Sequence, residues 1–156
     1  SGISPVVDLR AAGVHVGLGV DGSSSADSAS LWLEARQAML LAKLKNGADQ
    51  GTARMALEVA TRGGAGCLGR IGEIGELSVG AVGDIVVWSL TGALFAGAIA
   101  DPIEAWLRCG PTAAHHTIVH GKQVVHNGQL VSTRVDEMLT AHRKIATRMQ
   151  SFAGER

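Results

Sequence analysis

The sequence predicts an α/β chain with a β-rich second part and a closing helix, and three observations carry that prediction. A nearly unbroken apolar run, Val14-His-Val-Gly-Leu-Gly-Val20, lies between helix signals and a Gly/Ser loop. Residues 76–90 and 117–131 are rich in β-branched side chains punctuated by glycine turns. Residues 133–151 return apolar side chains at helical spacing.

The elements follow in order. Pro5 to Gly13 reads as a short helix, with proline near its first turn and glycine just past its end. The run 14–20 suits a strand buried on both faces of a parallel sheet, since it lacks the alternation of a half-exposed strand. A Gly/Ser loop over 22–30 precedes a helix over 31–45, which stops at Asn46-Gly47 with Lys43 and Lys45 in its last turn. Thr52 caps a helix that stops at Gly63-Gly64, and 65–68 adds one turn. Gly80 and Gly83 break 76–90 into strands joined by a tight turn. Asp101-Pro-Ile-Glu104 is a capped start for a helix over 103–108. His120-Gly121 and Asn127-Gly128 divide 117–131 into three short strands. The last helix carries Met138, Leu139, His142, Ile145 and Met149 on one face. The texture changes near residue 70, so the expected division is 1–70 and 71–156.

Composition narrows the function classes. The 156 residues are 46% hydrophobic, enough for a folded core. Fourteen basic and fourteen acidic side chains cancel, so no broad field draws in nucleic acid or a membrane surface. The apolar runs fall well short of the roughly 20 residues of a spanning helix. Ser1 to Val7 has no secretory pattern, so the expected compartment is the cytoplasm. Cys67 and Cys109 share no CxxC spacing and are expected to be buried, reduced thiols.

The informative chemistry lies in Gly17-Leu-Gly-Val-Asp-Gly-Ser-Ser-Ser-Ala-Asp27, where Asp21 follows an apolar run and opens a Gly/Ser loop. Reacting groups gather at the carboxyl ends of strands in parallel α/β folds. A carboxylate there can hold a metal or take a proton from a metal-bound water. It can equally brace the loop through backbone N–H groups, and position alone serves both readings. Gly17, Gly19 and Gly22 also spell GxGxxG, yet two of them lie inside the apolar run and no helix starts where a pyrophosphate would dock. Ser23, Ser24 and Asp27 are substrate-loop candidates, and no GxSxG elbow marks a nucleophile. Of the histidines, His115 and His116 should point to opposite faces of a strand, His120 and His126 sit beside turns, and His15 should face a helix. Trp32, Trp88 and Trp106 read as packing anchors.

These segments together resemble a known family. Gly13 to Asp27, Arg36-Gln-Ala-Met-Leu40, Ala60-Thr-Arg-Gly-Gly-Ala65, Leu77-Ser-Val-Gly-Ala-Val-Gly-Asp-Ile-Val86, Asp101-Pro-Ile, Gly110-Pro and Thr117-Ile-Val-His-Gly-Lys122 are similar to the C-terminal portion of the amidohydrolase superfamily. The branch resembled is that of the metal-dependent deaminases, with 8-oxoguanine deaminase, guanine deaminase and hydroxyatrazine-type aminohydrolases among them. The resemblance implies the last part of a (β/α)8 TIM-type barrel and part of a small β-sandwich. It places Asp21 as both metal ligand and proton shuttle. It also implies one divalent metal, zinc or iron, whose histidine ligands precede Ser1. A whole barrel takes about 250 residues, so this chain is expected to be a fragment. On that reading it is inactive and metal-free alone, needs a missing N-terminal barrel half, forms a homo-oligomer and acts on a small heterocyclic substrate. Ala26 departs from the asparagine common at that place. The alternative is a non-catalytic assembly piece that pairs with itself or with the missing half.

Overall fold

A computed structural model describes residues 2–22, 24–26 and 28–153. Helices α1 (Val6–Ala11), α2 (Leu31–Asn46), α3 (Ala53–Glu58), α4 (Gly64–Cys67) and α5 (Pro102–Cys109) precede or flank one sheet of β1 (Ile85–Val87), β2 (His116–Val119), β3 (Lys122–His126) and β4 (Gln129–Leu130). The long helix α6 (Val135–Ala153) closes the chain.

Local chemistry accounts for the helix starts. Ser30, Thr52 and Asp101 each accept a backbone N–H from the first turn that follows, satisfying donors that a helix leaves open. In α2 the small side chains Ala35 and Ala42 flank Met39 on one face, all buried. They let α3 approach closely, and Ala53, Ala56, Trp106 and Leu107 complete that core. Val6, Met55 and Val59 extend it toward α1. Two of the three tryptophans meet edge-on, with Trp32 Nε1 donating to the Trp106 carbonyl at 3.2 Å. Trp88 lies 4.9 Å from Trp106, so the expected anchoring role fits all three. Glu104 ties α5 to α3, accepting the Ala53 N–H at 2.8 Å while pairing with Arg108.

The sheet is antiparallel throughout, in the order β1-β2-β3-β4, with Ile85 opposite Ile118 and Thr117 opposite Val125. Its turns carry positive φ at His120, Gly121, Asn127 and Gly128, as the two turn signals require. Asp84 accepts the His120 N–H at 2.6 Å and fastens the β2–β3 turn to the start of β1.

Several expectations need correction. Residues 14–20 form no ladder among the described residues, because a strand exists only against a partner and none lies beside this segment. The parallel sheet expected of the first part is therefore not seen, and the sheet that forms belongs to the second part. Only Ile85–Val87 of the stretch 76–90 is a strand, while Leu77 lies exposed in irregular chain and Val79 exposed in a turn. The helix from Thr52 does not stop at Gly63-Gly64: a π turn over Val59–Gly63 carries it into α4 with helical φ at both glycines. Cys67 is exposed and Cys109 half-buried, since each sits at a helix end rather than on a packed face; both are free.

Candidate functional site

The segment that carries Asp21 is held by glycines on the helix beneath it. A Cβ on Gly63 would stand 2.1 Å from the Val16 carbonyl oxygen, so residues 14–20 lie directly on the π turn. A Cβ on Gly66 would stand 2.6 Å from His15 Nδ1, which puts the imidazole against α4. His15 therefore faces a helix, as expected from its place in the apolar run.

Asp21 ends this segment in the left-handed region at φ 60, a conformation that Asp tolerates better than most residues. Its Oδ1 accepts the Gly22 N–H at 2.6 Å. The loop-bracing role is thus real, and it leaves the residue exposed at the mouth of a cleft of about 360 Å³. Ser25, Ser28, Glu34 and Gln37 line that cleft with it. Gly22 accepts backbone N–H groups from Ser25 and Ala26, each at 3.0 Å.

Among the substrate-loop candidates, Ser24 is exposed on this turn and does not line the cleft, whereas Ser25 does. Ser23 and Asp27 lie outside the described residues. Glu34 and Gln37 were not singled out by sequence. The available signal was their three-residue spacing, which puts both on one face of α2 behind the Ser30 cap.

The histidines do not join Asp21. His115 and His116 do not point apart, because His115 precedes β2 and escapes strand alternation; their rings meet edge-on at 4.4 Å. Gln123 Nε2 lies 3.2 Å from Nδ1 of both His116 and His126. Desolvation, then the nearby His115 and His126, holds His116 below its ordinary range. No cluster of three His, Cys, Asp or Glu side chains fit to hold a metal occurs among the described residues. A zinc site needs three or four protein ligands, so one carboxylate with Glu34 nearby does not constitute one.

The chain belongs to the amidohydrolase family, whose model matches residues 1–124. It is 41% identical over 147 residues to an 8-oxoguanine deaminase of Pseudomonas aeruginosa, covering 94% of this chain and 32% of that protein. In structure it is similar to a zinc-bound adenosine deaminase of Xanthomonas campestris, at a TM-score of 0.85 and 26% identity, covering 97% of this chain and 35% of that one. It is also similar to an atrazine chlorohydrolase of Arthrobacter aurescens complexed with zinc, at a TM-score of 0.82 and 32% identity, covering 90% and 31%. The chain thus spans about a third of the length of these relatives. Among the described residues, no helix is long and apolar enough to cross a membrane.

Proposed function

We propose that this chain is the C-terminal part of a metal-dependent hydrolase that breaks a C–N bond in a cyclic amidine, a purine, pyrimidine or triazine bearing an amino group. The observation that carries the proposal is Asp21, an exposed carboxylate at the mouth of a cleft, ending the segment that the family match includes. Residues 1–70 supply barrel material and 71–156 the sandwich strands and their helices.

In the complete protein Asp21 would be one of the residues that hold a divalent metal, zinc or iron, and that metal would supply activation of a water. Asp21 accepts a proton from the attacking water as the water oxygen adds to the ring carbon. The proton then passes to the departing nitrogen, the C–N bond breaks, ammonia leaves and a ring carbonyl remains. Ser25 from the loop and Glu34 and Gln37 from α2, which line the cleft with Asp21, contact the heterocycle in this reading. Ala26 keeps its part of the cleft apolar. The remaining metal ligands come from the N-terminal barrel half, so the chain alone neither turns over substrate nor holds metal tightly.

The exposed apolar side chains Leu44, Leu77 and Val79 favour a second reading, an assembly piece without chemistry. One experiment separates the two. The purified chain is assayed for ammonia release from aminopurines and aminotriazines, alone and joined to an N-terminal amidohydrolase half containing the His-x-His ligands. Activity only on joining supports the hydrolase reading. Ammonia release by the chain alone overturns the need for a partner half, and a stable but inactive joined protein overturns the hydrolase.

A further inference from the structure

The β2–β3 pair gathers two imidazoles and an amide on one face. Opposite the consecutive residues Thr117 and Ile118 stand Val125 and Gln123, so β3 carries Val124 as an extra residue. Along a regular strand Gln123 and His126, three positions apart, would point to opposite faces. The bulge brings them to one, since such an irregularity re-aims the side chains on either side of it. One step beyond the pair of Thr117 and Val125, His116 faces His126 across the strands, with ring centroids 5.1 Å apart. Gln123 Nε2 then lies 3.2 Å from Nδ1 of His116 and 3.2 Å from Nδ1 of His126.

Counting protons turns these contacts into a statement about lone pairs. An amide nitrogen has two hydrogens to donate and accepts none, so one hydrogen goes to each ring. Both Nδ1 atoms are therefore unprotonated and aimed at one point, and each neutral ring carries its proton on Nε2. For His126, Nε2 lies 3.2 Å from Asn127 Nδ2. Two N–H groups cannot bond each other, so the Asn127 amide turns over and accepts the Nε2 proton through Oδ1. A metal-ligating histidine uses that arrangement: one nitrogen offers its lone pair, and the other N–H is held by an oxygen that fixes the ring. His126 is exposed and His116 half-buried, so an ion reaches both from solvent.

No third His, Cys, Asp or Glu joins the pair among the described residues. Two ligands fall short of the three or four that zinc sites use. Copper(II) is the better match, because it takes nitrogen and oxygen ligands in a tetragonal plane and is bound most tightly of the divalent first-row ions. We infer that Nδ1 of His116 and Nδ1 of His126 form a two-imidazole site for copper(II), which displaces the Gln123 amide from between them and takes water at its other positions. This inference does not rest on the hydrolase reading.

The test adds copper(II) to the full chain, reading affinity by titration calorimetry and ligands by electron paramagnetic resonance. One ion per chain is expected, with coupling to two imidazole nitrogens. Asn127→Gly keeps the left-handed turn at φ 48 and removes the oxygen behind His126, so it should weaken binding by about tenfold, the lower end for an outer partner. His116→Gln and His126→Gln should each weaken it further and leave coupling to one nitrogen. Gln123→Ala should bind at least as tightly as the parent, since no amide has to leave. His115→Gln and His142→Gln should bind as the parent does. Coupling to fewer than two nitrogens in the parent overturns the inference, as does parental affinity in His126→Gln. Loss in His115→Gln as large as in His126→Gln assigns the ion elsewhere and also overturns it. The chain joined to an N-terminal amidohydrolase half should take the same extra copper; a joined protein whose copper binding ignores His126→Gln overturns the site as well.

Discussion

Gly63 should reject even a methyl group, although its own backbone would welcome one. At φ −61 and ψ −46 it is an ordinary helical residue, and replacing glycine by alanine in a helix is worth up to about 1 kcal/mol. Against that, the new Cβ would sit 2.1 Å from the Val16 carbonyl oxygen, more than an ångström inside ordinary contact, with the Glu58 carbonyl oxygen 3.3 Å away. Both neighbours are backbone, so no side chain can rotate aside, and overpacking of this kind costs about 1–3 kcal/mol. The steric cost exceeds the propensity gain, and Gly63→Ala should be destabilised by about 1–2 kcal/mol. Gly64 is the internal control, since it has helical φ −59 and nothing within 4 Å of an added Cβ. Gly64→Ala should gain about 0.4–1 kcal/mol. Urea unfolding followed by circular dichroism measures both. A Gly63→Ala chain as stable as Gly64→Ala would refute the seating of the Asp21 segment on the π turn.

Two further predictions test the core. Burial raises the Glu104 pKa, but the Ala53 N–H and Arg108 outweigh it and hold the carboxyl below its ordinary 4.5. Its contribution is therefore full above that value and lost as pH falls through the lowered folded value. Glu104→Gln should cost about 1 kcal/mol at neutral pH, and the gap to the parent should close on acidification; a gap constant down to acid pH would exclude the charge as its source. Trp32→Phe removes the N–H donated to the Trp106 carbonyl and should cost at least about 0.5–1.5 kcal/mol in thermal unfolding, whereas an unchanged midpoint would mean that water replaces the bond freely.

What the sequence disclosed was whatever short-range chemistry decides. Asp101 caps α5 through the Ile103 and Glu104 N–H groups, and Asn127-Gly128 turns the chain between β3 and β4, because a few adjacent residues suffice for each. Glu104 shows the limit: capping spacing suggested a partner within its own helix end, and the structure sends one oxygen across to Ala53. Gly63-Gly64 failed as a stop because packing against Val16 requires glycine there for closeness, not for a left-handed turn. Val14–Val20 carries the composition of a buried strand without a ladder, since pairing depends on chain that does not lie beside it. That Asp21 lies exposed on a cleft was legible from its place after the apolar run. Glu34 and Gln37 were not, because which face of α2 lines the same cleft as Asp21 is decided by tertiary packing.

The central claim is that Asp21 moves a proton in a complete C–N hydrolase, and turnover measured together with metal content in the joined protein tests it most directly. Loss of a general base alone typically costs about 10²–10⁴ in rate, so Asp21→Ala should lose at least that much and bind metal more weakly. Asp21→Asn keeps the shape and one coordinating oxygen but cannot accept a proton. It should hold more metal than Asp21→Ala and stay nearly inactive. Near-parental turnover by Asp21→Asn at full metal content would contradict the account and leave Asp21 as a ligand or a loop brace only.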